Sequence, residues 1–155
     1  MKHSFLANPY LVLVSRCILG FVFVFAAIDK IVAPDAFAES VYAYGLVPYP
    51  MINLFALIIP WIELICGIFL VAGVCLRSSS LLISILLLFF IVAIIIALGQ
   101  NLNIDCGCFG KDHATPISWM KVLEDVFLLL LGLHIAFFDA GFLKIEDTRS
   151  PANEG

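Results

Sequence analysis

Leu81 to Gly99 is a run of 19 residues without a single charge, and it limits what the chain can fold into. A helix needs about 20 apolar residues to cross the ~30 Å hydrocarbon layer of a bilayer. A helix at the surface of a soluble domain, by contrast, keeps one polar face. Composition points the same way: 63% of the 155 residues are hydrophobic and 13% charged, where an ordinary soluble domain carries roughly 25% charged. Tyr10 to Ile28 forms a second long apolar stretch, broken by Arg16. Met51 to Leu76 forms another, broken by Pro60 and Glu63. Val122 to Leu143 is a fourth, with Glu124 and Asp125 near one end and Asp139 near the other. Nothing alternates polar and apolar residues as a barrel strand does, so backbone hydrogen bonds must close within helices. The expected fold is all-α: one integral membrane domain over residues 1–155, a four-helix bundle with spans at about 10–28, 51–76, 81–99 and 122–143.

A net charge of −4 leaves no broad basic face for nucleic acid, and the few cations fall at helix ends. Ala36-Phe37-Ala38 has the small-residue pattern of a signal-peptidase site, but the apolar run before it exceeds the roughly 7–15 residues of a signal h-region. An uncleaved first helix is expected. No internal repeat is present.

Four spans put both termini on one side and the segments around 29–50 and 100–118 on the other. Lys2, Arg77, Lys144 and Arg149 fall with the termini, against Lys30, Lys111 and Lys121 opposite, so the positive-inside tendency puts the termini in the cytoplasm. The segment 29–50 mixes Tyr42, Tyr44 and Tyr49 with apolar residues and is punctuated by Pro34, Pro48 and Pro50. A short interfacial helix is expected there, because tyrosine favours the headgroup layer.

The segment between the third and fourth spans reads Asp105-Cys106-Gly107-Cys108-Phe109-Gly110. In a bacterium the outward side is the periplasm, where disulfides persist. A disulfide needs Cα atoms roughly 4.4–6.8 Å apart, and a bend at Gly107 brings residues two apart within that window. So small a ring is strained, and strained disulfides tend to be the labile or catalytic ones. Lys111 and His113 favour a thiolate, whereas Asp105 and Asp112 oppose it. Cys106 and Cys108 are therefore the candidate exchanging pair. The alternatives are a structural clip and a metal site using Cys106, Cys108 and His113, whose spacing is not that of a familiar zinc site. The expectation is no metal and no cofactor.

Cys17 and Cys66 fall at similar depths if the first two spans are antiparallel, which would allow a second thiol pair; a packing role as small hydrophobes is the alternative, and Cys75 lies nearby. Glu63 sits mid-helix, where an isolated charge is costly and seeks a partner inside the bundle; Arg16 is the expected partner. Pro60 is expected to kink its helix and release a carbonyl. His134 reads as a packing residue. Ala93 with Ala97, and Gly132 with Ala136, allow close helix approach.

Arg16 with Gly20, Lys30, Phe37, Tyr44-Gly45-Leu46-Val47-Pro48, then Pro60, Glu63, Gly67 and Gly73, and above all Cys106-Gly107-Cys108-Phe109-Gly110, together resemble the MauE branch of the DoxX-like family of four-helix membrane proteins. The resemblance covers the chain from about Arg16 to the fourth span. It implies a role in maturing methylamine dehydrogenase, whose small subunit is dense in disulfides. It also implies work alongside a periplasmic thioredoxin-like protein, with Cys106 and Cys108 as the exchanging pair. The expected function is thus a membrane thiol-disulfide redox protein of the cell inner membrane that supports disulfide formation in an exported client. The alternatives are a quinone-linked oxidoreductase, with Arg16, Glu63 and aromatic residues around the ring, and a non-catalytic assembly or export subunit.

Overall fold

A computed structural model describes residues 9–100 and 117–138. Among the described residues there are five helices and no strand: α1 (Pro9–Val32), α2 (Pro34–Tyr44), α3 (Tyr49–Ala72), α4 (Leu76–Gly99) and α5 (Trp119–Phe138). The four long helices pack as an antiparallel bundle, and α2 is the short helix expected between the first two. Over residues 10–32, 49–72 and 76–99, three of them are long and apolar enough to cross a membrane; the protein is a multi-pass membrane protein. Helix α5 differs from these three in carrying Lys121, Glu124 and Asp125 within its first two turns.

The boundaries depart from the sequence expectation in instructive ways. Helix α1 runs on to Val32 and so takes in Lys30, which the sequence places in an outer segment. The stretch 51–76 is not one helix. Gly73 adopts φ 79°, its N–H bonds back to the Leu70 and Phe69 carbonyls, and the Val74 N–H bonds to Phe69. This is a Schellman stop, which needs a left-handed residue that glycine supplies without strain. Leu76 therefore opens α4, and Arg77 and three serines join a helix expected to begin at Leu81. The part of the fourth span beyond Phe138 lies outside the described residues.

Helix α2 has Pro34 in its first turn and ends on Gly45 at φ 65°. Its Phe37 and Tyr44 are buried. Tyr42 and Tyr49 are exposed and meet edge to face, with ring centroids 6.2 Å apart.

Glycine sets the α1–α3 contact. A Cβ on Gly20 would lie 2.6 Å from Val71 Cγ2 and 2.9 Å from the Gly67 carbonyl, and one on Gly67 would lie 2.9 Å from Val24 Cγ2 and 3.0 Å from the Gly20 carbonyl. The backbones approach too closely for a methyl group, so the two helices cross on bare backbone, as small-residue contacts do in membranes. Gly132 plays the same part for α5, facing Ser84, Leu19 and the Ser80 carbonyl. The expected close approach at Ala93 and Ala97 is also present: both are buried beside Ile117 and Val122. Around these contacts Leu19, Leu70, Ile83 and Ile135 are fully buried.

Candidate functional site

Lys30 and Glu63 form a buried ion pair at the heart of the bundle. Lys30 Nζ donates to Glu63 Oε2 at 2.7 Å, and the two side chains are 4% and 1% exposed. Helix geometry explains the pairing. Side chains tilt toward the N-terminus of their own helix; because α1 and α3 are antiparallel, Lys30 leans back toward mid-bundle while Glu63 leans out to meet it. The Lys30 ammonium also lies over two aromatic faces, 5.2 Å from the centroid of Phe37 on α2 and 5.3 Å from that of Phe90 on α4. Such contacts supply a desolvated cation with further attraction. One charge is thus enclosed by four helices' worth of packing: α1, α2, α3 and α4.

The expected partnership of Arg16 with Glu63 does not form. Gly67 faces Gly20 and Val24, so Glu63, one turn beyond Gly67, lies level with about Ala26. Arg16 is ten residues from that level, or about 15 Å at 1.5 Å per residue, and its side chain leans the other way. Lys30 is only one turn away. Arg16 is itself buried, and its Nε has no partner among the described residues.

A second ionisable group completes the centre from α5. Lys121 Nζ lies 3.0 Å from Glu124 Oε2 and 3.9 Å from Asp125 Oδ1. Lys121 and Asp125 are buried, whereas Glu124 is half exposed. A cavity of about 40 Å³ joins the two sets, bounded by Lys30, Glu63, Lys121, Glu124 and Asp125 and walled by apolar residues such as Leu87. Pro60 lies one turn from Glu63 and is fully buried; helix α3 continues through it although proline cannot donate to the Ala56 carbonyl.

The candidate exchanging pair, Cys106 and Cys108, lies outside the described residues, as do Asp105, Gly107, Gly110, Lys111, Asp112 and His113. Among the described residues no group of three or more His, Cys, Asp or Glu could hold a metal ion. Cys17, Cys66 and Cys75 form no disulfide with one another. Cys66 is buried in the core with Leu19 and Phe23, and counting from the Gly67 contact the two thiols are offset by about 9 Å along the axis by the same rise per residue. His134 stacks on Phe138, ring centroids 5.4 Å apart, in keeping with a packing role.

A family profile described as "Methylamine utilisation protein MauE" matches residues 8–138, which is most of the chain. The chain belongs to the MauE family. Proteins named methylamine utilization protein MauE are similar to it over most of its length. The one from Paracoccus denitrificans is 32% identical over 134 residues, covering 86% of this chain and 72% of the relative. That from Methylorubrum extorquens is 30% identical over 138 residues, covering 88% and 74%. A third, from Methylophilus methylotrophus, is 29% identical over 136 residues, covering 86% and 71%. No solved structure matches the chain significantly.

Within this MauE-family chain, sequence reasoning found Glu63 but missed its partner. The signal was available: Leu19, Phe23, Ala26 and Lys30 recur at helical spacing, so Lys30 continues the buried face of α1 rather than starting a loop. Lys121 and Asp125, four residues apart, likewise share one face of α5.

Proposed function

We propose that this MauE-family chain is a membrane thiol-disulfide redox protein that supports disulfide formation and maturation of an exported client in methylamine utilisation. The observation that carries the reading is the Cys106-Gly107-Cys108 pair, two thiols one residue apart in a multi-pass membrane protein of a family described by methylamine utilisation. In this reading all four long helices cross the inner membrane, the termini are cytoplasmic and the cysteine segment is periplasmic. Cys106 and Cys108 exchange with a periplasmic thioredoxin-like protein, which passes the oxidation state to the client. The rigid bundle, locked by Lys30 and Glu63, serves as the frame from which the segment between α4 and α5 is presented.

Topology and redox state are tested together by labelling Cys106 and Cys108 with a membrane-impermeant maleimide in spheroplasts, in a variant lacking Cys17, Cys66 and Cys75. Labelling that appears only after mild reduction is expected. Absence of labelling before and after reduction, with normal labelling once denatured, would overturn the outward-facing assignment.

A second reading, reduction of an isoprenoid quinone, draws on a specific pair of cavities. A groove of about 380 Å³ between α3 and α4 is lined only by apolar side chains, Phe55, Ile59 and Phe89 among them. Those three also line a smaller pocket beneath α2 that reaches Phe37 and Phe90, the rings against Lys30. The polar end is therefore Lys30 with Glu63, not Arg16. The pocket beneath α2 holds only about 30 Å³, too little for a quinone ring without movement of an aromatic side chain, which is why this reading stands second. Cysteine-dependent reduction of added quinone by the purified protein would place it first.

A further inference from the structure

The Lys30–Glu63 pair is satisfied within itself; Asp125 is not. Its side chain is 5% exposed, and its Oδ2 has no hydrogen-bond partner among the described residues. The cation in contact with it, Lys121, lies closer to Glu124, at 3.0 Å against 3.9 Å to Asp125 Oδ1, and Lys30, across the same chamber, is already paired with Glu63. Glu124 is half exposed; Asp125 is enclosed. An ionised carboxylate that is buried with one bare oxygen is costly, and within a membrane such groups mark functional positions. Beside it lies the cavity of about 40 Å³, room for a water, which needs about 10–15 Å³ of such space.

We propose that this cavity is a proton-holding site: Asp125 carries an exchangeable proton on Oδ2, and a single water in the cavity links that O–H to the Lys30–Glu63 pair. The charged groups around it favour this division. From α1 comes Lys30 and from α3 Glu63, already joined at 2.7 Å. Helix α4 contributes only Leu87 and Phe90 to the wall, and α5 itself supplies Lys121 and Glu124. Of the three carboxyl groups that border the chamber, Glu63 contacts an ammonium and Glu124 is half exposed, which leaves Asp125 to hold the proton against the water. Half-exposed Glu124 at the rim gives the proton a route to solvent. The site stands without the thiol reading, although its use rests on it. A thiol that attacks a disulfide gives up one proton and the departing thiolate takes one up, so a carboxyl that accepts and returns one proton matches the balance of exchange.

Infrared spectroscopy of the full-length protein in lipid nanodiscs at neutral pH tests the site directly. The wild-type protein is expected to show a protonated-carboxyl stretch that shifts in D₂O, is absent from Asp125→Asn, and moves when aspartate carboxyls are labelled with ¹³C. The labelled wild type gives the reading even if the variant fails to accumulate. No such band in the wild type, or a band indifferent to aspartate labelling, overturns the proposal. If the band is present but the pH profile of exchange is the same in Asp125→Asn and wild type, the site holds and its assigned use falls.

Discussion

Glu63→Ala is expected to be among the most destabilising substitutions in the chain, at a cost of about 3–5 kcal/mol, the range for breaking a buried ion pair by removing one partner. The cost arises from what remains: the Lys30 ammonium, 4% exposed and held between Phe37 and Phe90, loses the carboxylate that offsets its burial. Against a typical total stability of about 5–15 kcal/mol, a loss of that size empties much of the folded population. Glu63→Gln keeps the shape but not the charge and is expected to fall between alanine and wild type. The decisive comparison is the double variant Lys30→Met with Glu63→Leu. Replacing both charges by apolar groups of similar volume is often neutral or better, so the double variant is expected to recover most of the loss. Thermal unfolding in detergent and abundance in the membrane both read this. A single Glu63→Ala variant as stable as wild type would contradict the pairing. Recovery of stability without recovery of function in the double variant would show that the pair has a role beyond the frame.

The second large effect is expected from replacing Cys106 and Cys108 together with serine. If the pair performs thiol exchange, client maturation is abolished, because a hydroxyl cannot form or accept a disulfide. The quantity of protein in the membrane is expected to stay unchanged, since the core that holds the bundle is Leu19, Leu70, Ile83 and Ile135 with the glycine contacts of α1, α3 and α5. The two variants thus separate frame from chemistry. Disulfide content of the exported client measures the outcome; full maturation with both cysteines gone would leave the bundle a non-catalytic assembly subunit.

What could be read from the sequence followed the physics that dominates each segment. The apolar run of α4 and the proline-bracketed α2 were legible because length, hydrophobicity and turn residues act locally. The break between α3 and α4 was not, because apolar character continues from Leu70 through Leu76 and the stop depends on one glycine adopting φ 79°. Glu63 was legible as a buried charge needing a partner. Arg16 stands out as a partner only while α1 is taken to end at Ile28, four residues short of its end at Val32. With the helix extended, Lys30 falls one turn from the level of Glu63. Asp125 was visible only as a charge near a helix end; that one of its oxygens is buried beside a cavity depends on how α5 packs on α4 and α1, which no local pattern encodes.

Capture of a mixed disulfide tests the exchange mechanism most directly. Cys108→Ser leaves Cys106 without its resolving thiol, and Cys106→Ser does the reverse, so one of the two variants should hold a partner covalently under oxidising conditions. The account predicts a reductant-sensitive adduct of this chain with a periplasmic thioredoxin-like protein in one variant, lost when both cysteines are serine. If neither single variant yields an adduct while each accumulates in the membrane, thiol exchange is contradicted.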